Sequence, residues 1–175
     1  MYKRIGLPVL LALLVLLSAC GRENVALDPS GCLLWFPVDD RLPGYGHGPA
    51  LSSESYGDSE TSDPGTLLNA LLAGPSQDGL RSPFPRGVTL QHWAWDESRP
   101  GVLLVSLSEQ YGALADVSLS LADYCIVLTL SQIKGVDNVE ITAGGHWVSY
   151  RSHQLLSTRE AVLRDELADT ALDLS

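Results

Sequence analysis

Leu71-Leu72-Ala73-Gly74-Pro75, running on through Leu80 to Ser82-Pro83-Phe84-Pro85-Arg86-Gly87-Val88-Thr89-Leu90, is the stretch that decides the fold. Leu67, Leu68, Leu71 and Leu72 recur at helical spacing. Gly74 can adopt the left-handed conformation that closes a helix, and Pro75 cannot continue one. Pro83 and Pro85 keep the backbone extended until Gly87 releases it into a strand over Val88 to Trp95. This junction of helix and strand contains no reactive group, so its strictness concerns the backbone.

Working outward, Asp63 is placed to cap the helix and Pro64 occupies the first-turn position that proline tolerates, which predicts a helix over residues 64–73. Upstream, Cys32 to Val38 is a short apolar run between Gly31 and Asp39-Asp40 and reads as the first strand. Residues 39–63 are rich in Gly, Pro, Ser and acid, and an edge strand near Ala50 to Tyr56 would shorten an otherwise long loop. Downstream, Val88 to Trp95 and Val102 to Leu107 form an antiparallel hairpin around Asp96-Glu97-Ser98-Arg99-Pro100-Gly101. From Asp116 the apolar residues are too dense for a strand, so a mostly buried helix follows, ending at Lys134-Gly135. Val136 to Thr142 alternates and is a core strand; Gly144-Gly145 turns the chain into Trp147 to Tyr150. Ser157-Thr158-Arg159-Glu160 has the form of a capping box, with Val162, Leu163 and Leu167 behind it, predicting an amphipathic C-terminal helix.

The chain has 175 residues, 45% hydrophobic, which supplies the core of one domain but not of two. Its N-terminus is a separate unit. Lys3 and Arg4 precede an apolar run from Ile5 to Leu17, shorter than the roughly 18–20 residues a permanent span needs, and the run ends in Leu17-Ser18-Ala19-Cys20. Small residues before that cysteine resemble a bacterial lipobox. The resemblance implies removal of residues 1–19 as a signal peptide, thioether-linked lipid on Cys20, a tether over residues 20–30, and a domain held on the cell membrane facing outside the cytoplasm. Removal leaves 9 basic against 21 acidic residues, a formal charge of −12, which repels nucleic acid and anionic headgroups. Cys32 and Cys125 remain, either as a disulfide or as buried thiols.

Reactive constellations are sparse. His47, His92, His146 and His153 lack zinc-site spacing, and no cofactor or metal is expected. Gly44-Tyr45-Gly46-His47-Gly48 lacks the Gly-Lys-Ser/Thr ending and the following helix of a phosphate loop. Asp58, Glu60 and Asp63 lack the glycine bend and downstream glutamate of a calcium loop. There is no nucleophile elbow, and Cys125 lies in an apolar helix. The sharpest enzymatic alternative is a glycan-binding or hydrolytic cleft around Trp93, Trp95, Asp96 and Glu97, set against a plain acidic turn.

Several ordered features resemble the GerMN domain of sporulation and spore-germination lipoproteins. They are Leu34-Trp35-Phe36-Pro37, Asn69-Ala70-Leu71-Leu72-Ala73-Gly74-Pro75, Pro85-Arg86-Gly87-Val88-Thr89-Leu90, Val105-Ser106-Leu107-Ser108, and Thr129-Leu130-Ser131-Gln132-Ile133-Lys134-Gly135-Val136-Asp137-Asn138-Val139-Glu140-Ile141. The resemblance implies an α+β fold: a small two-layer β-α-β-β-α-β sandwich over residues 31–145, similar to ring-building motifs; the extension over residues 146–175 is a departure from it. It further implies a non-enzymatic assembly module whose partners are envelope or sporulation proteins or further copies of itself. Some members carry two such domains in tandem, whereas this chain has room for one.

Function then falls to surfaces. If Leu103, Val105 and Leu107 face the helices, Val102 and Leu104 project from the other side of the sheet. With Trp93 and Trp95 sharing one face, Val88, Leu90, His92 and Ala94 share the other unless a bulge near Gly87 shifts the register. Val88, Leu90, His92, Val102 and Leu104 are therefore the expected partner-binding residues, unless Trp147 to Leu167 folds back over them.

Overall fold

The structure is a computed structural model that describes residues 31–41, 50–57, 63–151 and 153–159. The signal segment, Cys20, the tether, His47 with its glycines, Asp58, Glu60 and the helix expected beyond Arg159 lie outside the described residues. The α+β class holds. In order come β1 (Cys32–Pro37), β2 (Leu51–Tyr56), α1 (Pro64–Ala73), β3 (Leu90–Trp95), β4 (Val102–Leu107), a 3-10 turn (Glu109–Ala113), α2 (Asp116–Ser131), β5 (Asn138–Ala143), β6 (His146–Trp147) and β7 (Leu155–Ser157).

The strands divide between two sheets. β1 and β2 pair antiparallel on their own, whereas β3, β4 and β5 form the main sheet, with β4 and β5 parallel and both β6 and β7 added along the far edge of β5. A parallel β4–β5 pair requires a crossover, and α2 supplies it. The core lies between that sheet and the two helices, with Leu67, Leu68, Leu71, Leu103, Ile126 and Ile141 excluded from solvent. Leu34 and Phe36 of β1 join it.

β1 does not enter the main sheet because its second edge is already occupied. The Leu33 amide donates to Gln132 Oε1 at 2.8 Å, and the Gln132 amide donates back to the Leu33 carbonyl at 2.6 Å. The Trp35 amide donates to Thr129 Oγ1 at 3.1 Å. Two side chains at the end of α2 thus substitute for a neighbouring strand as partners of the Leu33 and Trp35 amides. Beyond them, Val38 bridges to Leu80 on the same edge.

Local chemistry accounts for α1. The Asp63 carboxylate accepts from the Thr66 amide at 2.8 Å, Pro64 opens the first turn, and the Gly74 amide donates to the Leu71 carbonyl at 3.2 Å. Gly74 has φ +95° and ψ 171°, which is the mirror image of extended backbone rather than the left-handed helix. Only glycine reaches this region at little cost, and it sends the chain straight into Pro75.

Near the other end of α1, a Cβ on Gly65 would stand 2.6 Å from Trp93 Nε1. The indole therefore packs directly on the helix backbone. Gly65→Ala is expected to destabilise the domain by about 1–3 kcal/mol through overpacking, despite alanine's better helix propensity. Chemical denaturation of the two proteins checks this, and an unchanged or raised midpoint would contradict it.

Candidate interaction surface

Both helices pack on one side of the main sheet, and strand alternation decides what the other side carries. β4 turns Leu103, Val105 and Leu107 inward and Val102, Leu104 and Ser106 outward. On β5, Val139 and Ile141 are inward, so Asn138, Glu140 and Thr142 are outward. The register then brings Ala94 beside Leu104, Trp147 beside Thr142, and Leu155 beside Glu140.

The expected partner-binding set is split by a bulge. Leu90 pairs with Leu107, and the next pair is His92 with Ser106, so one residue, Gln91, is inserted. That insertion restores Leu90 to the helix side, where Val88 is also buried in the core and Leu90 packs against it. Val88 is therefore a core residue and Leu90 packs half-buried against the core, a correction to the alternation reading. The bulge lies at Gln91, not Gly87. His92 does face outward and is exposed, and Leu104 is half-buried at the centre of the outer face. Val102 lies on the outer face but is only 4% exposed, where the loop from Asp96 to Gly101 closes on it through hydrogen bonds from the Val102 amide to the Arg99 carbonyl and from the Asp96 amide to the Val102 carbonyl.

The segment after Gly145 does not cross this face as far as it is described. β6 and β7 instead extend the sheet sideways on β5. They add Trp147, 54% exposed, and Leu155 to the outer face. Sequence periodicity could not place them, because each is too short to show a period.

Asp96 is taken up by the turn that follows it. Asp96 accepts from the Ser98 hydroxyl and amide at 2.6 and 2.8 Å and from Arg99 Nε at 2.6 Å, while Glu97 is exposed. Arg99 also reaches Glu140 Oε2 at 2.8 Å, fastening the hairpin loop to the outer face. The Ser98 hydrogen bond, followed by that from Arg99, pulls the Asp96 carboxyl from 3.8 to about 2. A general acid needs the opposite shift. Because the folded value is depressed, the stabilisation from Asp96 is complete above pH 3.8 and is lost as the pH falls towards 2. Carbon-13 titration of the side chain is expected to give a midpoint near 2, and an ordinary carboxylate midpoint would contradict the geometry.

A second polar cluster was not read from the sequence. Asp123 on α2 is buried, and Arg151 meets it through two parallel bonds, Nε to Oδ2 at 2.8 Å and Nη2 to Oδ1 at 2.6 Å. The Tyr111 hydroxyl donates to Oδ1 at 2.6 Å, and Arg151 Nη1 donates to the Ile141 carbonyl at 2.9 Å. Burial first, then the Asp123 charge, pushes the Tyr111 hydroxyl pKa well above 10. The signal was in the helical phase: Leu119, Asp123 and Val127 are spaced by four, which sets a carboxylate in a buried row. Asp123 and Arg151 also line a cavity of about 220 Å3 between α2 and the chain at Tyr150, His153 and Leu156.

Cys32 and Cys125 are both buried, and no disulfide is formed among the described residues. Burial raises the Cys125 thiol pKa far above its usual value, which removes it as a nucleophile at neutral pH. Among the described residues no cluster of His, Cys, Asp or Glu could hold a metal ion. No helix among them is long and apolar enough to cross a membrane.

The family model for the Germane domain, described as sporulation and spore germination, matches residues 48–149. The chain belongs to the Germane family. Among solved structures it is similar to the tandem GerMN domains of the sporulation protein GerM from Bacillus subtilis, at 18% identity and a TM-score of 0.54. That match covers 73% of this chain and 44% of the other, so the chain aligns with less than half of the tandem structure. It is also similar to the first GerMN domain of the same protein, at 17% identity and a TM-score of 0.48, covering 62% of this chain and 87% of that one. No curated protein sequence matches it. The Germane match encloses α1, the hairpin, α2 and β5, while β1 and β7 fall outside it.

Proposed function

We propose that this Germane-family chain is a lipid-anchored, non-enzymatic interaction module that acts in sporulation or spore germination. The observation that carries the reading is the main sheet, covered by helices on one side and bearing Leu104, Trp147, Leu155 and His92 on the other. Partly exposed apolar side chains on β4, β6 and β7, flanking the polar outer residues of β5, need either a partner or a solubility compromise. His92 and Leu104 contribute side chains to the contact, and buried Val102 supports them from beneath the hairpin loop. The contact is with an envelope or sporulation protein or with a second copy of the chain. Lipid on Cys20 would concentrate the domain at the outer side of the cell membrane, while its acidic surface keeps it from lying flat on anionic headgroups.

Deleting the gene in the source organism is expected to lower the yield of heat-resistant spores or slow their germination. Cys20→Ala is expected to abolish lipid labelling and release the protein from the membrane fraction. Normal spore counts and germination in the deletion strain would sink the proposed role, and retained labelling in the Cys20 variant would sink the anchor.

A further inference from the structure

α2 carries an uncharged apolar stripe on its solvent side. Val117 is 71% exposed and Tyr124 44%, Leu121 and Leu128 are half-buried, and the four recur in steps of four, three and four residues. Ser120 and Ser131 are exposed on the same side. The one acidic or basic residue from Val117 to Ser131 is Asp123, which is buried against Arg151. A helix that meets water ordinarily bears charge on its solvent face. α1, β1, β5 and β7 pack around the rest of the circumference and leave the stripe open.

We infer that the occupant of this stripe is the chain's own continuation, residues 160–175, folded back as an amphipathic helix antiparallel to α2. This goes beyond the interaction role proposed above, since it concerns a different surface and does not depend on that role.

The described chain already starts such a helix. The Arg159 amide donates to Ser157 Oγ at 3.2 Å, which is the bond an N-cap serine makes to the second helical residue. Glu160 is the residue type that completes a capping box at the third. The Thr158 amide and hydroxyl both donate to the Asp137 carbonyl, at 3.0 and 2.9 Å, and Ser157 lies opposite Asn138 at the start of β5. These bonds fix the start beside the loop that joins α2 to β5, at the C-terminal end of α2.

Length and pattern agree with a course back along α2. Residues 160–175 match α2 at 16 residues, about 24 Å of helix. Leu163, Leu167, Ala171 and Leu174 recur in steps of four, four and three, whereas Asp165, Asp169 and Asp173 fall on the opposite side. Antiparallel alignment from the shared corner sets Leu163 beside Leu128, Leu167 beside Tyr124, Ala171 beside Leu121 and Leu174 beside Val117. Four apolar rungs then close over the uncharged stripe while the aspartates stay in water. A helix running straight on from β7 would instead leave the domain with its leucines in solvent, at the cost of all the apolar burial that the return course gains.

The test is nuclear Overhauser spectroscopy and amide hydrogen exchange on the full chain in detergent micelles, with isotope-mixed samples to separate contacts within a chain from contacts between chains. Contacts of the Leu167 methyls with the Tyr124 ring, and of the Leu163 with the Leu128 methyls, are expected within one chain. Leu167→Asp is expected to remove them and to speed exchange of amides 163–174 at least about tenfold, with the amides of β4 and β5 unchanged. Asp169→Ala, on the opposite side, is expected to keep them. Random-coil shifts over residues 160–175, or equal protection in the Leu167 variant, would overturn the inference. So would contacts between chains only, which mark a surface for a second copy, contacts of the stripe with detergent alone, or contacts of Leu167 with Leu104 on the outer sheet face.

Discussion

Arg151→Met is expected to lower the unfolding free energy by about 3–5 kcal/mol, a large share of the roughly 5–15 kcal/mol that holds an ordinary domain together. The substitution leaves Asp123 buried with only the Tyr111 hydroxyl as a partner, and it frees the Ile141 carbonyl. The damage comes from stranding a charge, not from losing a favourable pair. Asp123→Leu combined with Arg151→Met should therefore recover most of the stability, because a well-packed apolar pair removes both desolvation terms. Tyr111→Phe removes one bond to a carboxylate that keeps its guanidinium, and about 1–2 kcal/mol is expected. Urea denaturation of the four proteins separates these cases. A single Arg151 variant within about 1 kcal/mol of the parent would show that the pair does not hold residues 148–157 on α2. The same cluster gives a sign in base: the Tyr111 pKa is raised on folding, so its contribution is present below pH 10 and is lost as the pH rises above it.

Glu54→Ala is the second large effect, and it acts on the junction at Gly74-Pro75. Glu54 is 6% exposed, and its carboxylate accepts from the Ser76 amide at 3.0 Å, the Ser76 hydroxyl at 3.1 Å and the Gln77 amide at 2.9 Å. The two amides follow directly on the helix stop, where Pro75 has no N–H to offer. Charge-assisted bonds contribute about 1.5–3 kcal/mol each and do not add fully, so a loss of about 3 kcal/mol is expected. Glu54→Gln keeps an acceptor oxygen and should restore part of it. Equal destabilisation by Ala and Gln would mean that the amides take other partners and that Glu54 matters only by its bulk.

These two clusters also mark what the sequence could and could not disclose. The first helix was legible to its ends because Asp63, Pro64, Gly74 and Pro75 act on their immediate neighbours. The hairpin followed from two apolar runs around a turn, and the second helix from an apolar run too dense for a strand, although it stops at Ser131 and not at the expected Lys134-Gly135. β2 looked like a weak strand because of its polarity, yet its Glu54 is the residue that anchors the junction; burial of a carboxylate depends on amides 22 residues away. The outer face failed at one point for a similar reason. Gln91 is an unremarkable residue type, so nothing in its chemistry announces a bulge, yet the insertion turns Val88 and Leu90 from surface into core. His92 and Leu104 kept their expected side, and Trp147 and Leu155 joined them through strands too short to show a period.

The most direct test of a module that works through its uncovered sheet face is complementation of a gene-deletion strain with a Leu104→Glu chain. The variant must accumulate to the parental level and melt at a comparable temperature, which a half-buried, outward position allows. The account predicts that it fails to restore heat-resistant spores or normal germination while the parental chain succeeds. Full restoration by the Leu104→Glu chain would contradict it.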